Sequence, residues 1–254
     1  MLSRLQRTTH SPSILFGHYR LQLQPQRPPK FSDFPGSAWR GAIGHALKRT
    51  VCITQQRECK GCLLHASCLY PYLYDTPPNP QVGKMRRYQT APHPYIVRPP
   101  LTPPAADATY PLDLILVGEA SRHLPVILHA IRDAAGSGRG VAGGRLQALQ
   151  LAQEITIGSD QWQPIWQPEQ PLQPQPLTPL IVPPLPTGEI TLTLQTPLRI
   201  KRDGRHVDAP NFRFADLFSN LLRRHSMLIE FHTPDTLEID FRGLTAAAAD
   251  VLNQ

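Results

Sequence analysis

A chain of 254 residues can hold one large domain or two of ordinary size, each with a real core. Its 41% hydrophobic content is slightly low for a globular protein but excludes a disordered one, and no run of about eighteen apolar residues exists to span a bilayer. The net charge of +7 points to an anionic partner; the 21 Arg against 5 Lys favour RNA, since a guanidinium pairs with phosphate and stacks on bases, although GC-rich codon usage raises Arg and Pro equally well.

In chain order, residues Ser13 to Gln24 alternate apolar and polar and predict a strand, with His18 and Arg20 on the polar face. A proline-broken loop follows. Pro35 and Ser37 mark a helix start, and Trp39, Ile43, Ala46 and Leu47 form its buried stripe. Arg40, His45, Lys48 and Arg49 lie off that stripe. Gly41 and Gly44 each cost helix stability, which implies close approach of another backbone or a ligand.

Cys52, Cys59, Cys62 and Cys68 come next, spaced C-x6-C-x2-C-x5-C. The central C-x2-C is a common zinc half-site, and four thiolates would close a structural tetrahedral site; His65 is a substitute ligand in reserve. An iron–sulfur cluster, free thiols and disulfides stay open as alternatives. The first thirteen residues carry Arg4, Arg7 and His10 without the apolar core of a secretory signal, so a cytoplasmic, reducing setting is expected, which disfavours disulfides.

Residues Asp75 to Asp107 are too rich in proline for a helix and predict an extended connection. Within it, Lys84, Arg86 and Arg87 next to Tyr88 make a basic and aromatic cluster suited to an RNA strand or to plain solvation. Tyr95 to Val97 reads as a short strand, Leu112 to Gly118 as a buried strand, and His123 to Ala135 as the second helix. Residues 136–145 hold five glycines with Arg139 and Arg145; Gly138 and Gly140 would let backbone amides approach a phosphate. Leu146 to Ile157 reads as a closing strand, with helix equally compatible.

These signals divide the chain into an N-terminal domain over 1–160, a Pro/Gln-rich linker over 161–187 and a C-terminal unit over 188–254. In the last, Glu189 to Ile200 alternates as a strand. Lys201 to His206 is a basic turn with Arg202 and Arg205. Asn211 to Met227 is a helix with Arg223 and Arg224 outside, Leu237 to Phe241 is a strand, and the end is a short helix or tail.

The segments FPGSAWRGAIGHAL and CKGCLLHASCLYPYLY resemble the first helix and cysteine tail of CRISPR repeat-processing endoribonucleases of the RAMP superfamily. The resemblance runs to about residue 155 and loosens after it. It implies an α+β fold of tandem ferredoxin-like, RNA-recognition-type domains, the second one short, as in a compact type IV variant. It also implies metal-independent cleavage of CRISPR precursor RNA by the substrate's own 2′-hydroxyl, with the mature guide RNA staying bound and other effector-complex subunits as partners.

On that resemblance His45 is the candidate base or acid, Lys48 lies one turn along, and Tyr19 or Arg20 could face it. Arg40 either acts or holds the fold, and Arg20, Arg40 and Arg242 take over if arginines carry the reaction. The glycine loop is expected on RNA. The alternatives are a non-cleaving RAMP subunit that binds guide RNA in an effector complex, and an unrelated protein with a structural zinc knuckle.

Overall fold

The computed structural model describes residues 14–31, 34–77, 91–105, 107–136, 140–180, 182, 184 and 188–251. The cluster at Lys84, Arg86 and Arg87, and Gly138 and Arg139 of the glycine loop, lie outside these residues.

Strand β1 (Phe16–Arg27) is central in a five-stranded sheet with β2 (Tyr95–Arg98), β3 (Tyr110–Val117), β4 (Arg145–Glu154) and β5 (Trp162–Trp166). The spatial order is β2-β3-β1-β4-β5, and every neighbouring pair is antiparallel. Helix α1 (Pro35–Val51) joins β1 to β2, with the short α2 (Leu69–Tyr74) inside that connection; α3 (Leu124–Gly136) joins β3 to β4. Taken without β5 and α2, this is the strand order and helix placement of a ferredoxin-like α+β fold.

The alternation seen in the sequence decides the layers. Tyr19, Leu21 and Leu23 of β1 point to the helix side, where they meet Leu112, Leu114 and Leu116 of β3. Trp39, Ile43 and Leu47 of α1 and Ile127, Leu128 and Ile131 of α3 close the same core. The opposite face carries a polar cluster of His18, Arg20, Asp113 and Glu154, with Ile115 and Ala152 beside it.

Two expectations about the later chain change. The Pro/Gln-rich stretch begins with β5 rather than as a connection. Pro164 is tolerated there because β5 is an edge strand whose outer side needs no donor. Further along, Gln175 exchanges two hydrogen bonds with the Gln153 side chain, both at 3.0 Å, and Leu15 bridges to Pro179, so the segment stays tied to the sheet.

Glu189 to Ile200 and Leu237 to Phe241, read as strands, form none. Ile190, Leu192 and Leu194 keep their alternation but are exposed. A strand is stable only beside another strand, and among the described residues Ile190, Leu192 and Leu194 are paired with none. The paired strands there are β6 (Lys201–Arg202) and β7 (Arg205–His206), one small hairpin, followed by α4 (Phe214–His232) and α5 (Phe241–Ala249).

Helix α4 docks on the first domain at its C-terminal end. Ile229 is buried with Ile14 and Val117, and His232 Nε2 donates to the Pro92 carbonyl at 2.8 Å. Gly118, at φ +54°, lies directly under the His232 carbonyl, a position where any side chain would collide.

Candidate functional site

Helix α1 presents its polar side to a groove of about 1060 Å³, closed on the far side by α2 and by the loop after Cys52. Three of the predicted catalytic residues, Arg40, His45 and Lys48, line it together with Arg49, Arg57, Tyr70 and Tyr74. They meet because positions 41, 44, 45 and 48 follow the helical repeat along one stripe. Gly44 is explained by an aromatic ring: a Cβ there would stand 2.6 Å from Tyr74 Cε1. Gly41 has nothing within 4 Å of where its Cβ would be, so the groove floor is left open at that point.

His45 Nδ1 donates to the Gly41 carbonyl at 2.8 Å, which fixes the tautomer and leaves the Nε2 lone pair for another partner. Lys48 Nζ donates to the Arg57 carbonyl at 2.7 Å and stands 5.3 Å over the Tyr70 ring. Tyr70 and Tyr74 stack with centroids 5.2 Å apart. Burial pushes the phenol of Tyr74 well above its ordinary range, so it stays a donor, given to the Arg40 carbonyl at 2.9 Å.

Arg40 is held rather than free. Its Nε donates to Tyr95 Oη at 3.1 Å and its Nη2 to His93 Nε2 at 2.7 Å. Burial first, and the Arg40 charge second, lower the pKa of His93, which keeps that ring neutral and able to accept. Arg40 therefore braces α1 against β2.

Tyr19 and Arg20 do not join this groove. Tyr19 is 1% exposed in the core, and burial pushes its phenol up to about 12. Arg20 is the next residue along the strand and so projects from the opposite face of the sheet. It grips Asp113 through Nε and Nη2 at 2.7 and 3.1 Å, with its guanidinium 4.2 Å over Trp162. The expectation that either faces His45 is corrected by the pleat: one points into the core and the other away from α1. Arg242 is exposed at the start of α5 and lies outside the residues lining the groove.

On the polar sheet face Arg98 Nη2 donates to Asp113 Oδ2 at 2.7 Å, and His18 Nδ1 donates to Glu154 Oε2 at 2.7 Å. Arg20 and Arg98 are the residues directly opposite Asp113 on its two neighbouring strands. Burial alone would raise the Asp113 carboxyl, but the bonds from His18, Arg20 and Arg98 win and hold it well below the usual carboxylate range.

The described part of the glycine loop packs against the chain before α1: Arg27 Nε donates to the Gly143 carbonyl and Lys30 N to the Ala142 carbonyl. Gly140 turns at φ +56°. Arg145 lines a second depression with His129, Arg132 and Asp133. Asp133 accepts from Arg49 at 2.6 Å, which joins that depression to the α1 groove.

In the C-terminal unit Arg202 is committed to Asp216 and the Asn211 carbonyl, whereas Arg205, Arg223 and Arg224 are exposed.

All four cysteines, as free thiols, line one cavity of about 260 Å³ beside the groove. Cys62 N donates to the Cys59 carbonyl at 3.1 Å across a turn made by Gly61 at φ +81°. Thr54 Oγ1 lies 3.8 Å from Cys52 Sγ and 3.6 Å from Cys62 Sγ. Four soft sulfur donors around one cavity suit a thiophilic ion. As placed, no three His, Cys, Asp or Glu side chains among the described residues stand close enough to hold one. His65 leans to Asp75 at 3.9 Å.

Sequence reasoning did not single out Tyr70, Tyr74 and Arg57 of the groove, or Asp113, Glu154 and Trp162 of the sheet face. Two signals existed: tyrosines four apart in LYPYLY, and a lone Asp inside the apolar run of β3.

No helix among the described residues is long and apolar enough to cross a membrane. No curated protein and no solved structure matches the chain. Residues 13–177 match the profile of the family described as AF_1859_N: N-terminal domain, and with more than half of its length covered the chain belongs to that family.

Proposed function

We propose that the protein is a metal-independent endoribonuclease that cleaves CRISPR precursor RNA within its repeat and keeps the mature guide RNA bound. The observation that carries this reading is His45. Its Nδ1 proton is committed to the Gly41 carbonyl, so its Nε2 is a ready proton acceptor in a groove that also holds Lys48 and two stacked tyrosines.

The RNA strand lies along α1, with a base against the Tyr70–Tyr74 pair and the phosphodiester over Gly41. His45 Nε2 takes the proton of the 2′-hydroxyl, and the 2′-oxygen attacks phosphorus. The bond to the 5′-oxygen breaks and that oxygen takes a proton from the Lys48 ammonium, leaving a 2′,3′-cyclic phosphate and a 5′-hydroxyl. Retention of product is supported by the polar track that continues from Arg49 through Asp133 toward Arg145.

The test is incubation with the cognate repeat RNA in chelator, beside His45→Ala and a substrate with a 2′-deoxy scissile nucleotide. Cleavage at one position, blocked by the deoxy substrate and reduced about 10²–10⁴-fold in His45→Ala, supports the reading. Cleavage unaffected by His45→Ala removes His45 from the mechanism.

A second reading is a guide-binding subunit that does not cleave. It is favoured by Lys48 being already engaged by the Arg57 carbonyl and by Tyr19 being shut in the core. It predicts tight binding of the same RNA with no cyclic-phosphate product.

A further inference from the structure

The groove and the cysteine cavity share a wall. Cys52 and Gln56 line both of them. Cys52 is the residue on which α1 ends: its N–H donates to the Lys48 carbonyl at 2.9 Å, and its side chain turns into the thiol cavity. Five residues further on, Arg57 supplies the carbonyl that holds the Lys48 ammonium at 2.7 Å. Arg57 stands two residues before Cys59, so the loop that fixes Lys48 is the same loop that links the first two thiols.

We propose that Cys52, Cys59, Cys62 and Cys68 close on one Zn²⁺ ion, and that this closure positions Lys48 in the groove by fixing the 52–59 loop. The reaction-centred role of Lys48 rests on the function proposed above; the metal site and its mechanical coupling to the last turn of α1 do not.

Part of the geometry for closure is already in place, since all four thiols border one cavity. Gly61 already makes the turn that brings Cys59 and Cys62 to one side, and Cys52 and Cys62 both contact the Thr54 hydroxyl. In a tetrahedral thiolate site with Zn–S of about 2.3 Å the sulfurs stand roughly 3.8 Å apart. The four thiols line a single small cavity but stand farther apart than this, so closure draws them in by side-chain rotation together with movement of the 52–59 loop. Binding releases the thiol protons to solvent and changes no oxidation state. Without the ion, the loop is held chiefly by short turns, and the Arg57 carbonyl that anchors Lys48 moves with it. Lys48 is thus a residue positioned by the knuckle, and the cysteines are positioning residues that act through it.

The experiment uses the full chain. Metal content is measured on protein purified without added metal. The apo protein is titrated with Co²⁺, whose absorption distinguishes four thiolates from mixed ligands, and hydrogen exchange is followed across residues 48–68 with and without Zn²⁺. Expected are one Zn²⁺ per chain, a four-thiolate Co²⁺ spectrum and its loss in Cys59→Ser. His65→Ala retains the spectrum. On removing Zn²⁺, exchange rises at least tenfold in the 52–59 loop and in the last turn of α1, while β1 and β3 are unchanged, and adding Zn²⁺ back restores protection.

No bound metal and no Co²⁺ spectrum, or two disulfides in its place, overturns the site. Metal binding that leaves exchange at the end of α1 unchanged overturns the coupling. Because reversible stripping is done on the wild-type chain, a Cys59→Ser variant that fails to fold does not decide the matter. If the metal results hold but repeat RNA is neither bound nor cut, the function proposed above fails by itself.

Discussion

The docking of α4 should weaken as the solution is acidified, and His232 is the reason. This ring is 3% exposed, packs edge-on to Tyr72 at 5.6 Å and donates Nε2–H to the Pro92 carbonyl. Its Nδ1 is buried without a partner, so a second proton there would be a buried, unsolvated charge. Burial, opposed by the Pro92 bond and reinforced by nearby His93, lowers its pKa from 6.5 to about 4.

A group whose folded pKa is depressed contributes stability that is complete above its ordinary pKa and is lost as pH falls toward the folded one. Here that window runs from about 6.5 down to about 4. The full effect is about 3 kcal/mol at 1.36 kcal/mol per pKa unit, of which about 2 kcal/mol is gone by pH 5. For a chain of this size that corresponds to a fall in Tm of roughly 4–8 °C.

His93, His123 and His225 are lowered too, so the assay must be differential. Thermal or urea unfolding of wild type and His232→Gln is compared at intervals from pH 7.5 to pH 5. Glutamine can still donate to Pro92 but does not ionise. The variant should be somewhat less stable at pH 7.5 and lose about 2 kcal/mol less on going to pH 5. Parallel curves across that range would refute the claim that a neutral, buried His232 holds the junction.

Other substitutions separate packing from binding. Gly44→Ala places a methyl group against the Tyr74 ring, so it should cost about 1–3 kcal/mol in denaturant titration and widen the groove. Gly41→Ala meets no atom and should raise stability by about 0.5–1 kcal/mol, while weakening RNA affinity in a filter-binding assay because the methyl group intrudes on the groove floor. Asp113→Asn leaves Arg20 and Arg98 without their shared carboxylate. Both guanidiniums keep some solvent, so the loss should be about 2–3 kcal/mol in chemical denaturation rather than the larger cost of a fully buried pair.

Much of the first domain was legible because its elements are amphipathic at clear periods. The alternation around Tyr19, Leu21 and Leu23 and the Trp39–Ile43–Leu47 stripe each name the face that is buried, and the structure buries those faces. The strand β5 was hidden by composition. In a sequence of Gln and Pro, its two tryptophans were the remaining signal, and an edge strand tolerates proline that an inner one would not.

The alternation of Ile190, Leu192 and Leu194 misled in the other direction. A pattern says which face a strand would bury, not whether another strand stands beside it. At the groove, the helical repeat was enough to group His45 with Lys48. The partners of His45 and Lys48 were not readable, because they are backbone carbonyls at Gly41 and Arg57 rather than side chains.

The network on the polar sheet face draws at least one member from every strand: His18 and Arg20 from β1, Arg98 from β2, Asp113 from β3, Glu154 from β4 and the Trp162 ring from β5. A slip of one residue in any of these pairings would send that strand's charged or ring member to the hydrophobic side and leave its partners unmatched. Mispaired intermediates are therefore penalised at each strand addition in turn, whichever order the strands join. The network works as an alignment check on the growing sheet, and its value lies less in the depth of the native minimum than in the height of the wrong ones.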